Sequence, residues 1–255
     1  MHFCKSIITE ILLHTHLMNK VPVIFFWSGG KDSSYALYEL LQSEQYDVKY
    51  LVCTINGNYK RVSMHGVREE LIDAQASSIG IPLLKLYVFE NNNTEYERKV
   101  AETLKLLKIE GIGIVAYGDI FLEDLKIYRE EKLHAIGMKG LFPIWKKETK
   151  WLIYDFIQKG FITYTCCIND AYLSSDWVGK KIDSQFVAEL PKGVDYCGEN
   201  GEFHTICVDG PIYKYPIAFK KGNTVYRRIE NKSGSSASQL NEINTKGFWY
   251  QDFLL

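Results

Sequence analysis

An unbroken apolar run, Val23-Ile-Phe-Phe-Trp27, leads into Ser28-Gly-Gly-Lys-Asp-Ser33 and then into Tyr35-Ala-Leu-Tyr-Glu-Leu-Leu41, whose apolar residues fall at helical spacing. That order predicts a strand buried on both faces, a sharp turn and the start of a helix. Gly29 and Gly30 have no Cβ, so the backbone turns tightly there and a ligand can approach it. The first turn of the helix offers unpaired N–H groups, with the positive end of the helix dipole behind them. Ser28, Ser33 and Ser34 add hydroxyl groups and Lys31 adds a positive charge. An ordinary tight turn with a serine cap is the simpler alternative. Six letters in a strand–turn–helix context favour a phosphate chain instead. Neither the Gly-x-x-x-x-Gly-Lys-Ser/Thr loop nor the Gly-x-Gly-x-x-Gly fingerprint is present.

Downstream, residues 48–55, 82–89 and 112–117 read as strands, and 67–79, 95–109 and 121–136 as helices, with Gly80 as a C-cap. Such alternation predicts a parallel sheet covered by helices on both sides. Ligands of these sheets bind at the carboxyl ends of the strands, where the 28–33 loop, Asn56 and Asp119 gather. Past Gly140 the reading is a helix over 149–159, a strand over 161–168, a mostly helical stretch over 173–190 and a strand over 206–208. Three parts follow: a nucleotide-binding unit over 21–135, a second unit over 136–225, and a linker and tail over 226–255. Residues 231–238 have linker composition, and the apolar 247–255 is expected to dock on the body. The natural start is expected near Met18.

Composition narrows the function. With 30 Lys+Arg against 31 Asp+Glu the net charge is −1, so broad adhesion to nucleic acid or acidic lipid is not expected. No apolar run approaches a membrane span, and the first twenty residues make a poor signal-peptide core. The six cysteines include no Cys-x-x-Cys pair, which argues against a zinc site and for a reducing, cytoplasmic setting. Late in the chain, Glu199-Asn-Gly-Glu202 places two carboxylates around an Asn-Gly turn beside His204 and Thr205. A solvated hairpin turn explains that pattern as well as an acidic site that holds Mg²⁺, steers ammonia or acts as a base. Asp119 reads equally as a helix cap or as a contact at the sheet edge. His65 reads as a surface histidine.

The Ser28–Ser33 loop resembles the PP-loop of AMP-forming ATP pyrophosphatases. Together with Tyr117-Gly-Asp-Ile120, Tyr128-Arg-Glu130, Leu141-Phe-Pro-Ile-Trp145 and Cys197-Gly-Glu-Asn-Gly-Glu-Phe-His-Thr205, it stands in the order of the diphthine–ammonia ligase family. The resemblance implies an α/β fold: a parallel-sheet PP-loop (adenine nucleotide alpha hydrolase-like) domain with a smaller α+β C-terminal domain. It also implies ATP-dependent amidation, in which a carboxylate is adenylated, pyrophosphate leaves with Mg²⁺, and ammonia displaces AMP. Carried over to this sequence, Lys31, Glu199 and Glu202 would be catalytic. Ser28, Gly29, Gly30, Lys31, Asp32, Ser33, Ser34 and Asn56 would bind ATP, with Asp32 also holding Mg²⁺. Asp119, Tyr128, Arg129, Asn200, His204 and Thr205 would meet the substrate. Relatives that amidate diphthine typically carry Glu-Gly-Gly-Glu-Tyr-Glu-Thr, whereas this chain has Glu199-Asn-Gly-Glu-Phe-His-Thr205 and looks like a bacterial branch. His204 in place of an acid would change the pocket charge by about one unit near neutral pH. The expected partners are a small-molecule or protein-borne carboxylate and free ammonia, without nucleic acid or membrane, and a homodimer is compatible. An RNA-modifying PP-loop enzyme and a non-catalytic ATP sensor are the alternatives.

Overall fold

The computed structural model describes residues 20–89, 93–229 and 245–255. The expected start near Met18 and the linker at 231–238 lie outside the described residues. The apolar run becomes β1 (Val21–Phe26), and the helix after the turn is α1 (Lys31–Gln42). Next come β2 (Tyr46–Asn56), a two-residue β3 (Arg61–Val62) and α2 (Glu69–Ile79). Gly80 closes α2 in the left-handed region at φ 83°, as its C-cap role requires. β4 (Leu83–Val88), α3 (Asn93–Ile109), β5 (Ile114–Ala116), α4 (Glu123–Ala135) and β6 (Lys139–Leu141) complete the first unit.

Five parallel strands lie in the order β4-β2-β1-β5-β6, and β3 pairs antiparallel with the far end of β2. β1 is central, and its side chains go to two cores. Val23 and Phe25 pack into the core shared with α1 and α2, while Ile24 packs with Leu104, Leu107 and Leu133 of α3 and α4. A strand with helices on both faces must be apolar throughout, which is why this run has no polar letter. The chain reverses direction across the sheet between β1 and β5. The crevice at that point lies beyond the carboxyl ends of both strands, where the 28–33 loop and Asp119 lie.

The second unit is an antiparallel sheet flanked by α5 (Thr149–Gln158). Its strands are β7 (Ile162–Asn169), β8 (Phe203–Asp209), β9 (Lys220–Arg228) and β10 (Gly247–Leu254), ordered β8-β7-β10-β9. Its core is continuous with the core on the α1 side of the first sheet: Tyr35 and Leu37 share one cluster with Phe156, Phe161, Ile206 and Cys207. All described cysteines (Cys53, Cys166, Cys167, Cys197 and Cys207) are buried and unpaired.

Three boundaries differ from expectation. The first sheet runs past residue 135, because β6 pairs parallel with β5 through Leu141. Only half of the stretch 173–190 is helical. A 3-10 turn at Ser175–Trp177 and α6 (Ser184–Glu189) flank an extended segment, in which the N–H of Thr165 donates to Lys180 and that of Ile182 donates to Thr163. Beyond 226 lies sheet rather than tail. β9 is polar and almost wholly exposed, so no burial pattern marks it, and it is held by its ladder with β10.

β10 also ties the two units together. Asp252 accepts from Arg61 at 2.9 Å and from Arg68 at 2.7 Å, both in or beside the hairpin formed by β3. Burial opposes the Asp252 charge, but the two arginines outweigh it and hold the carboxyl down to about 2. Asp252 ordinarily titrates at 3.8, so this contribution is fully present above that value and is lost as pH falls through about 2. Asp252→Asn should lower stability at neutral pH by about 1–2 kcal/mol in urea unfolding, and the gap to wild type should close as pH drops towards 2.

Candidate functional site

A strand that ends in two glycines and a helix start leaves backbone groups exposed, and the structure answers them from the second unit. Gly29 turns at φ 79°, a conformation that favours glycine. Its carbonyl accepts from the Cys207 N–H at 2.8 Å and from Gln75 Nε2 at 3.0 Å. The amide of Gln75 also donates to the Cys207 carbonyl and accepts from Trp27 Nε1 at 3.0 Å. Gln75 is fully buried on the apolar face of α2, between Leu71 and Ile79. One step on, the Lys31 N–H donates to Thr205 Oγ1 at 2.9 Å. The edge of β8 is therefore stitched to the loop, and a Cβ on Gly30 would lie 3.0 Å from the Thr205 carbonyl and the His65 ring.

The α1 N-terminus has four N–H groups without intrahelical acceptors. Ser28 Oγ takes that of Gly30 and Thr205 takes that of Lys31, leaving those of Asp32 and Ser33. Ser28 donates to Ser33 Oγ at 3.1 Å across the mouth of the loop. Lys31 is 2 % exposed, and its Nζ sits 2.6 Å from Asp32 and 5.6 Å from the centre of the Phe203 ring. Burial works against the Lys31 charge, yet Asp32, with Cys197 and Glu199 nearby, outweighs it and raises the Lys31 pKa, so the side chain stays protonated. Glu199 reaches this group from the far turn. Loss of water and the neighbouring charges of Asp32, Asp195 and Asp119 push its carboxyl up to about 8, against the opposing pull of Lys31.

Other expected residues sort themselves by what they touch. Asp119 forms a 2.8 Å ion pair with Arg129 Nε and a 3.2 Å hydrogen bond with its Nη2. The Nε contact lies outside hydrogen-bond angles, so Asp119 Oδ2 and Arg129 Nε have no hydrogen-bond partner among the described residues. Burial raises the Asp119 carboxyl in spite of Arg129, whose guanidinium lies 4.1 Å from the centre of the Tyr117 ring. Gly118 allows this strand end to press on the loop: a Cβ there would lie 3.0 Å from Ser33 Cα.

Seven of the expected site residues are engaged within the chain itself. Glu202 is fully buried and accepts from the N–H groups of Asp195 and Asn200, each at 2.8 Å, and from Asn200 Nδ2 at 3.0 Å. It folds the acidic turn, and Asn200 serves the same turn. Thr205 holds the loop, and Ser34 braces it from behind by donating to the Gly30 carbonyl at 2.8 Å. Tyr128 points to Glu97 on α3, a quarter-turn from Arg129. Asn56 uses its side-chain oxygen to accept from Asn58 and Tyr59 in a turn at the end of β2. His204 is engaged as well: its ring lies 4.8 Å from that of His65, and burial, then His65 and Lys31, push its pKa down to about 3, so it carries no charge at neutral pH.

His65, read from sequence as a surface residue, instead meets the Thr205 carbonyl at 3.1 Å, and burial lowers its pKa. Gln75 carried a signal that went unused: a polar letter on the buried face of an amphipathic helix. Among the described residues, no group of three or more His, Cys, Asp or Glu could hold a metal ion, and no helix is long and apolar enough to cross a membrane.

Two protein-family models match: the diphthamide synthase N-terminal domain over residues 21–140 and the diphthamide synthase C-terminal domain over 148–233. The chain is similar to diphthine–ammonia ligases from Homo sapiens, 24 % identical over 78 % of this chain and 82 % of the relative, and from Danio rerio, 24 % identical over 80 % and 88 %. Among solved structures, it is similar to the U34-tRNA thiolase NcsA from Methanococcus maripaludis with its [4Fe-4S] cluster, at 18 % identity and TM-score 0.36 over 55 % of this chain and 58 % of that one.

Two outcomes test the geometry. Glu202→Gln should cost about 2–3 kcal/mol in unfolding experiments, because one amide oxygen replaces a carboxylate that serves three donors. Asp32→Asn should lower the Glu199 titration, followed by carboxyl ¹³C shifts, since it removes a repelling charge and frees Lys31.

Proposed function

Because the chain belongs to the diphthamide synthase family through both of its domains, we propose that it is an ATP-dependent, AMP-forming ligase that converts a substrate carboxylate to an amide. The observation that carries this reading is the joint between the phosphate-type loop and the acidic motif: 174 positions apart, the Lys31 N–H donates to Thr205 Oγ1 at 2.9 Å, and Lys31 Nζ lies 5.6 Å from the centre of the Phe203 ring.

The loop suits the phosphates of ATP. The first-turn N–H groups of Asp32 and Ser33, the Ser28 and Ser33 hydroxyls and the protonated Lys31 converge on one mouth. Lys31 would exchange Asp32 for the phosphates and stabilise the charge that develops on departing pyrophosphate. Mg²⁺ arriving on ATP needs only one or two carboxylates besides the phosphates, and Asp32 is the residue at the loop that fits that need. Bound there, the ion would supply charge neutralisation.

On the other side, Glu199 is tuned to neutral pH, where a carboxylate both accepts and returns protons. As ammonia forms its bond to the activated carbonyl carbon, the bond to the AMP oxygen breaks, and the nitrogen sheds one proton to Glu199. Arg129, held by Asp119 and Tyr117, would orient the acceptor. The neutral His204 leaves the acceptor pocket less acidic than a glutamate there would, in keeping with a different carboxylate from diphthine and with a bacterial branch of the family.

A metabolite extract supplied with ATP and ammonium should yield AMP and pyrophosphate. Lys31→Ala should slow that release about 100-fold or more. Glu199→Gln should still release pyrophosphate yet form little amide. Equal turnover by wild type and Lys31→Ala removes the phosphate assignment. Turnover that requires RNA moves the protein to the RNA-modifying alternative.

A further inference from the structure

A cavity of about 360 Å³ lies between the β3 hairpin of the first sheet and the β9–β10 pair of the second. Its size is within the range of small-molecule sites, about 300–1,000 Å³, and its place between two units is where such sites concentrate. Its walls include exposed apolar groups: Tyr59 is 61 % exposed, Met64 69 % and Val225 44 %.

Charge selects what fits. Arg61 and Asp252 both line the space, but they are committed to each other, and Arg68 also holds Asp252. Arg227 is different. Its guanidinium carbon lies 5.6 Å from the centre of the Tyr59 ring, and no carboxylate pairs with it among the described residues. An uncommitted guanidinium over an aromatic ring suits an anion joined to a flat apolar body. The backbone gives a second, independent sign. Lys60 and Met64, which flank β3, adopt left-handed φ values of 54° and 65°, a strain that collects at ligand clamps.

One wall is shared with the catalytic loop. Within the same hairpin, Ser63, Met64 and Gly66 face the cavity while the His65 ring lies against Gly30 and the Thr205 carbonyl. A molecule in the cavity is thus separated from the phosphate loop by a single turn of chain.

We propose that this cavity receives the far end of the acceptor: a flat apolar body that lies against Tyr59, Met64 and Val225 and carries an anionic group of its own, other than the carboxylate that is amidated at the loop, whose charge meets Arg227. The word acceptor rests on the ligase reading; the binding itself does not.

The test uses the full chain and ¹⁹F NMR of 4-(trifluoromethyl)benzoate, with the uncharged 4-(trifluoromethyl)benzamide as control. The carboxylate should broaden on binding and the amide should not. Arg227→Gln should weaken binding about tenfold, and Val225→Trp, which fills the space from an exposed strand, should abolish it. Saturating ATP should leave the probe bound. Equal binding of the amide, no effect of Arg227→Gln, or displacement by ATP overturns the proposal. In the extract assay, Arg227→Gln should raise the amount of extract needed for half-maximal AMP release about tenfold without changing the KM for ATP, and an unchanged extract dependence overturns the acceptor assignment. A wild-type chain that binds the probe in this pattern but makes no AMP contradicts the ligase reading alone, because probe binding is measured without turnover.

Discussion

The bond from the Cys207 N–H to the Gly29 carbonyl, with the Gln75 amide spanning both segments, is the contact on which the rest of this molecule depends. A glycine turn at the head of a buried strand leaves a carbonyl and several N–H groups that must find partners once water is excluded. Here the partners come from a strand edge almost 180 residues away. In answering them, β8 brings Thr205 onto the helix start and sets His204 and Phe203 beside the loop. The site is thus made where two incomplete surfaces satisfy each other.

That joint explains why several polar letters of the acidic motif are structural. Glu202, Asn200 and Thr205 are spent on holding the turn and the loop in register, which leaves Glu199 as the carboxylate of the motif whose charge Lys31 favours. The result is a cluster of like charges around one buried lysine. Asp32 satisfies Lys31, and Glu199 then finds its negative charge opposed by Asp32, Asp195 and Asp119. A carboxyl raised in this way is destabilising when ionised: stability declines as pH rises from its ordinary value of 4.5 through about 8. Functional sites commonly hold such groups, since a group tuned near neutral pH is useful for proton transfer.

Elsewhere the two units are held by a continuous core and by Asp252 bridging Arg61 and Arg68. Both ties bear on the β3 hairpin, whose two faces look to the loop and to the cavity. Holding it at both ends keeps His65 against Gly30 while leaving Arg227 and Tyr59 open.

Read by itself, the sequence determined the parallel sheet, the order of its helices and the phosphate-type turn. Those follow from local rules: an apolar run without a polar face, helical spacing, and glycines where the backbone must bend. It also brought Lys31, Asp119 and Glu199 forward as a set through motif resemblance. Tertiary structure alone decided which partner each polar letter finds. Glu199 and Glu202 are chemically identical and three positions apart, yet Glu202 is encircled by its own turn's N–H groups while Glu199 titrates under the charges of Asp32 and Lys31. The same holds for His65, Gln75 and β9, whose roles come from partners distant in the chain, and no local pattern encodes a partner that only folding supplies.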